Sequence, residues 1–187
     1  MILPIIAYGD AVLKKKAEDL TADYPNLQQV IANMFDTMNN AKGVGLAAPQ
    51  VGLSIRLFVI DATPYAEDQE DEEKQKELEG FKRVFINARI LSDEGSAWKF
   101  NEGCLSIPNI REDVERKPLL RIRYLDENFK EHEETYEGIQ ARIIQHEYDH
   151  IEGVLFVDRI NPLRKRLLKR KLTDISKGIV DVPYRMK

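Results

Sequence analysis

The chain has 187 residues, 43% of them hydrophobic and 32% charged, with a formal net charge of −4, enough apolar content for one substantial core and one expected domain over residues 1–187. It has no run of eighteen apolar residues, and the apolar start from Ile2 to Ala7 lacks the charged region and long apolar stretch of a signal peptide, so neither a membrane-spanning nor an exported protein is expected. A single cysteine excludes an internal disulfide framework and fits a reducing compartment, the cytosol.

In chain order, Leu27, Val30, Ile31, Met34, Phe35 and Met38 recur at helical spacing and predict an amphipathic helix ending near Gly43. Gly43 and Gly45 then let the backbone run close to a ligand, Pro49 stiffens the exit, and Gln50 offers an amide donor. In purely structural terms the same segment is a Gly-rich turn between a helix and a strand. It has no third Gly at dinucleotide spacing and no Gly-Lys-Ser/Thr, which argues against phosphate binding. Ile55–Ile60 and Arg83–Ile86 read as strands. Between them, residues 67–79 carry eight acids and two lysines, an acidic surface loop or short helix inserted over about 62–80 with no evident chemistry.

Cys104 follows Gly103 and precedes Leu105-Ser-Ile-Pro108, so a flexible point and a proline fix a turn that aims the thiol and exposes nearby N–H groups. The alternative reading of a lone cysteine is a small buried hydrophobe. Leu120–Tyr124 and Phe129–Tyr136 read as strands joined by a turn at Asp126-Glu-Asn128, and His132 on the second is expected to be solvated and not a ligand. A helix follows from about Gly138 to Gly153. Another runs from Pro162 to its stop at Gly178, with Leu163, Leu167, Leu168, Leu172 and Ile175 expected on one stripe. Short strands packed around a central helix predict an α+β fold: small antiparallel or mixed sheets around a central metal-binding helix, plus a C-terminal helix.

The segment Gln145-His-Glu-Tyr-Asp-His150 carries the chemistry. On a helix, His146 and His150 stand one above the other, so both imidazoles can reach one metal ion, with Glu147 beside them to shuttle the proton of a bound water. An exposed polar helix turn is the bland alternative. A catalytic site needs a third protein ligand and an open position. Glu152 is too close to swing back, and no His follows His150, so the ligand comes from upstream, with Cys104 the natural candidate.

The three segments Gly43-Val-Gly-Leu-Ala-Ala-Pro-Gln50, Glu102-Gly-Cys-Leu-Ser106 and His146-Glu-Tyr-Asp-His150 together resemble the peptide deformylase family, in that family's order and across nearly the whole chain. The resemblance implies one divalent ion held by Cys104, His146 and His150, natively Fe²⁺, and removal of the N-formyl group from formylmethionyl nascent peptides. It implies Glu147 as general acid/base, Gln50 and the Leu105 N–H as oxyanion donors, and Gly45 as a hold on the substrate backbone. It also implies a methionine pocket walled by Val44, Phe100, Ile139, Arg142 and Ile143, where the Arg142 stem is expected to line the wall and its guanidinium to reach water. Zn²⁺, Ni²⁺ and Co²⁺ also accept a thiolate with two imidazoles.

Two other readings stand beside this one. A different His-Glu-x-x-His metallopeptidase would cleave ordinary peptide bonds. A non-enzyme would carry a structural metal and bind RNA, but a closed site needs a fourth protein ligand, and no second Cys or well-placed third His exists. Residues 159–187 hold ten Lys/Arg against Asp174 and Asp181, a net +8 that leaves −12 for the rest. A core-packed helix with a solvated cationic face explains this block. By resemblance, the same basic C-terminal helix is a ribosome contact in some family members, while neither DNA nor a membrane is an expected partner. A bacterial cytoplasm, or an organelle of bacterial descent, is the expected setting.

Overall fold

Leu27, Ile31, Met34, Phe35 and Met38 are buried along one face of the first helix, α1 (Leu27–Asn40), which stops where Lys42 turns left-handed just before Gly43. The structure, a computed structural model, describes residues 1–187. After α1 come β1 (Gly45–Ala47), β2 (Leu57–Asp61), α2 (Glu72–Leu78), β3 (Lys82–Glu94), β4 (Trp98–Cys104), β5 (Ile107–Arg116), β6 (Leu119–Leu125), β7 (Glu131–Glu137), α3 (Gly138–Ile151) and α4 (Pro162–Ser176). Strands β1, β2, β3, β6 and β7 form one sheet in that order, and β4 and β5 form a separate hairpin. Every strand pair is antiparallel, so the architecture is α+β without a mixed sheet.

The five-stranded sheet is covered on both faces. Alternation along β2 sends Leu57 and Val59 toward Met34 and Met38 of α1, and Phe58 and Ile60 toward Ile143, Ile144 and Ile151 of α3. Helix α3 is thus held against the sheet while its other side faces the hairpin. Its end is fixed by Gly153, which is left-handed at φ +74° and lies so close to Lys14 that a Cβ would stand 2.5 Å from that residue's carbonyl oxygen. A third core joins Ile107, Ile110 and Val114 of β5 to Leu168, Leu172 and Ile175 of α4.

Several elements differ from the sequence reading. The strand expected at 83–86 runs from Lys82 to Glu94 with two register shifts, and the β4–β5 hairpin was not foreseen. The acidic block agrees with one of its two readings, a short helix: it forms α2, capped by the Asp71 carboxylate, which accepts from the Glu73 N–H at 2.9 Å. On α4, Leu163 and Leu167 are 69% and 70% exposed and do not share the buried stripe. At about 100° per residue Leu163 points about 120–180° away from Leu168, Leu172 and Ile175 and Leu167 about 80–140° away, so only the latter three reach the core. His132 is not free in water: its Nε2 lies 2.7 Å from Asp126 and its ring stacks on Tyr124.

Candidate metal centre and active site

Helix α3 presents His146 and His150 to the end of β4, where Cys104 emerges. One ligand atom from each of the three lies within 4.8 Å of the others, and Cys104 Sγ is 3.3 Å from His150 Nε2. A tetrahedral ion at usual bond lengths holds a sulfur and a nitrogen about 3.6 Å apart, so this spacing fits a shared ion. One thiolate and two imidazoles make three ligands, leaving the fourth direction open. His146 Nδ1 lies 2.9 Å from Glu102 Oε2, which sets the tautomer and leaves Nε2 for a metal.

Glu102 sits at the centre of a buried ion network that sequence reasoning missed. Arg116 donates to its two oxygens at 2.7 and 3.0 Å and to Asp149 at 2.8 Å; Arg159 in turn donates to Asp149 at 2.5 and 2.6 Å. Burial alone would raise the Glu102 carboxyl, but His146 and Arg116 hold it well below the usual carboxylate range. Both acids lie inside or beside the quoted motifs, so their position was the available signal.

Arg142 corrects the expectation of a water-exposed guanidinium. The residue is 2% exposed and donates to Glu102 at 2.9 Å, to the Val114 carbonyl at 2.9 Å and to the Trp98 carbonyl at 2.7 Å. A buried carboxylate and two carbonyls offer better partners than water, and the guanidinium also lies 4.4 Å from the Trp98 ring centre.

Glu147 is 4% exposed and has no hydrogen-bond partner for its buried Oε2. Burial pushes its carboxyl up to about 7, the range in which a group both takes and returns protons at neutral pH. Gln50 is aimed by the Ala47 N–H, which donates to its Oε1 at 2.9 Å. Its Nε2 therefore faces Ser106 Oγ at 3.2 Å and Cys104 Sγ at 3.4 Å.

A cavity of about 410 Å³ opens on these groups, bordered by Val44, Gly45, Gln50, Phe100, Cys104, Leu105, Arg142, Ile143, His146 and Glu147. Ile139 does not border it and lies in a separate depression with Leu78, Trp98 and Pro118. Tyr65, Arg111 and the C-terminal Val182, Pro183 and Tyr184 do border the cavity, with no signal in the sequence to mark them.

A thiol and two imidazoles placed to hold one ion, beside a buried carboxylate raised by burial and an amide donor, fit the class of mononuclear metallohydrolases. Residues 2–166 match the family model described as polypeptide deformylase. The chain is 60% identical to the peptide deformylase of Christiangramia forsetii, covering 100% of this chain and 96% of that one. It is 59% identical to that of Flavobacterium johnsoniae at the same coverage. Among solved structures, peptide deformylase from Thermus thermophilus superposes with a TM-score of 0.82 at 36% identity, covering 95% of this chain and 99% of that one. The chain belongs to the polypeptide deformylase family.

Proposed function

We propose that this chain, as one catalytic domain over 1–187 with residues 62–80 an acidic insertion, removes the formyl group from the N-terminal formylmethionine of new polypeptides and releases formate. The observation that carries this is the Cys104, His146 and His150 cluster beside the buried, unpartnered Glu147. A bound divalent ion would supply the Lewis acidity that makes water a nucleophile at neutral pH. Family membership and the thiolate-imidazole donor set support Fe²⁺ as that ion, testable by metal analysis of protein purified without air.

Glu147 takes the water proton as the formyl carbon is attacked. The charge that gathers on the formyl oxygen is met by Gln50 Nε2 and the Leu105 N–H, each such donor worth about 3 kcal/mol of barrier. Glu147 then gives its proton to the leaving amine. Gly45 is the residue that allows the carboxylate to sit there, because a Cβ on it would overlap Glu147 and stand 2.6 Å from its Cδ. Gly45→Ala is therefore expected to keep the metal and lose about 10- to 100-fold in kcat, read by formate release beside metal content. Unchanged kcat would show that Glu147 has room to move without cost.

Substrate is expected to lie extended beside Gly43–Leu46, with its backbone held and only its first side chain read closely. Val44, Phe100 and Ile143 supply an apolar wall, and the Arg142 stem completes it with its charge turned inward to Glu102. Peptides starting with formyl-Met and formyl-norleucine should be similar, and formyl-Ala poorer by about a hundredfold or more in kcat/KM. Equal rates for all three would contradict a methionine slot.

The exposed Leu163 and Leu167 beside Arg166 and Arg170 support ribosome contact through α4. No helix is long and apolar enough to cross a membrane, and the named relatives are bacterial, which supports action in a bacterial cytoplasm. Formate release from a formylmethionyl peptide is the direct test of the function.

A further inference from the structure

The last six residues return to the catalytic side of the molecule. Backbone bonds run from the Ile5 N–H to the Arg185 carbonyl, from the Ala7 N–H to the Lys187 carbonyl and from the Lys187 N–H to the Ile5 carbonyl, each at 2.9 Å. The alternate N–H groups of the same N-terminal segment point the other way: Ile6 donates to the Gln50 carbonyl at 2.8 Å and Tyr8 to the Ser106 carbonyl at 2.9 Å. Residues 5–8 thus tie the C-terminal segment to the two stretches that carry Gln50 and Leu105. Between those ties the Tyr184 hydroxyl donates to the Leu105 carbonyl at 2.8 Å, and Tyr184 borders the active-site cavity.

We propose that Tyr184 is a positioning residue for deformylation, holding the Leu105 carbonyl so that the Leu105 N–H is aimed at the formyl oxygen. This rests on the oxyanion role given above to that N–H. The need for it is local. Cys104–Leu105–Ser106–Ile107 is the tight connection of the β4–β5 hairpin, with a register shift between Gly103 and Cys104, so the ladder bonds that fix a strand lapse there. Ser106 is held on both sides, by the Tyr8 N–H on its carbonyl and Gln50 on its hydroxyl. Cys104 Sγ is held by Gln50 Nε2 at 3.4 Å and lies 3.3 Å from His150 Nε2. The Leu105 carbonyl receives the Tyr184 hydroxyl, which fixes the Leu105–Ser106 peptide plane and so the Leu105 Cα from which the N–H projects; without it that Cα can shift and carry the N–H off target.

Tyr184→Phe removes one oxygen and keeps the ring, so folding and the cavity wall are preserved. In the metal-loaded variant, kcat on a formylmethionyl peptide is expected to fall by about tenfold with KM within about twofold, since the lost alignment matters in the transition state and not in binding. Metal per chain and Tm should match the parent, and amide hydrogen exchange at Leu105 and Ser106 should speed up. Unchanged kcat with an active parent overturns the proposal. A fall in kcat that merely follows lost metal or a large drop in Tm also overturns it, as that is a structural role. A parent that releases no formate defeats the proposed function itself, a distinct result.

Discussion

Glu147→Ala is expected to lower turnover by about a thousandfold while the protein keeps its metal. The carboxylate is buried beside the histidine pair but is not one of the three clustered ligands, so its removal takes away a proton carrier and no ligand. Cys104→Ala and His150→Ala are expected to behave in the opposite way and lose the ion, because the two candidate ligands left would hold it far less tightly. Metal analysis and formate release on the same purified samples separate the two behaviours. A fully active Glu147→Ala protein would remove the proton shuttle from the mechanism.

Glu102→Ala is expected to destabilise the fold by about 3–5 kcal/mol, because Arg116 and Arg142 would remain buried without their common counter-charge. Asp149 still faces Arg116, but it is shared with Arg159 and cannot serve Arg142. The same change frees the His146 ring from its 2.9 Å contact and is expected to weaken metal affinity by about 10- to 100-fold. Denaturant unfolding and competition with a chelator measure the two effects. A loss under about 1 kcal/mol would mean that the network relaxes to let water in.

The unequal legibility of the sequence has physical causes. Helix α3 and its histidine pair were readable because spacing along one helix fixes which side chains share a face. Gln50, Cys104 and Glu147 stood out through the three family-like segments that carry them, since each residue type alone also has an ordinary structural use, and the fold brings all three to one cavity. Strand β5 was not. Its inward positions include Glu112, between Ile110 and Val114, and Arg116 after them, so the alternation that marks a half-buried strand is hidden by charges that find partners only after folding. Arg142 misled for the same reason: a guanidinium is expected in water unless a buried carboxylate awaits it, and Glu102 is 40 residues away in sequence. The α4 stripe failed because five apolar residues in thirteen looked like one face until their angles were resolved against the core. Tyr184 lies 79 residues from the carbonyl it holds, a contact that no local pattern records.

The central claim is that the Cys104, His146 and His150 centre acts with Glu147 on a formyl amide and not on an ordinary peptide bond. The measurement that tests it most directly is product analysis after the metal-loaded protein, purified without air, is given a formylmethionyl tripeptide and, separately, the same tripeptide with a free amine. Each formylated molecule is expected to give one formate and one intact tripeptide, and the free one no reaction. Cleavage between the methionine and the next residue in either peptide, or formate release at the uncatalysed rate, would contradict it.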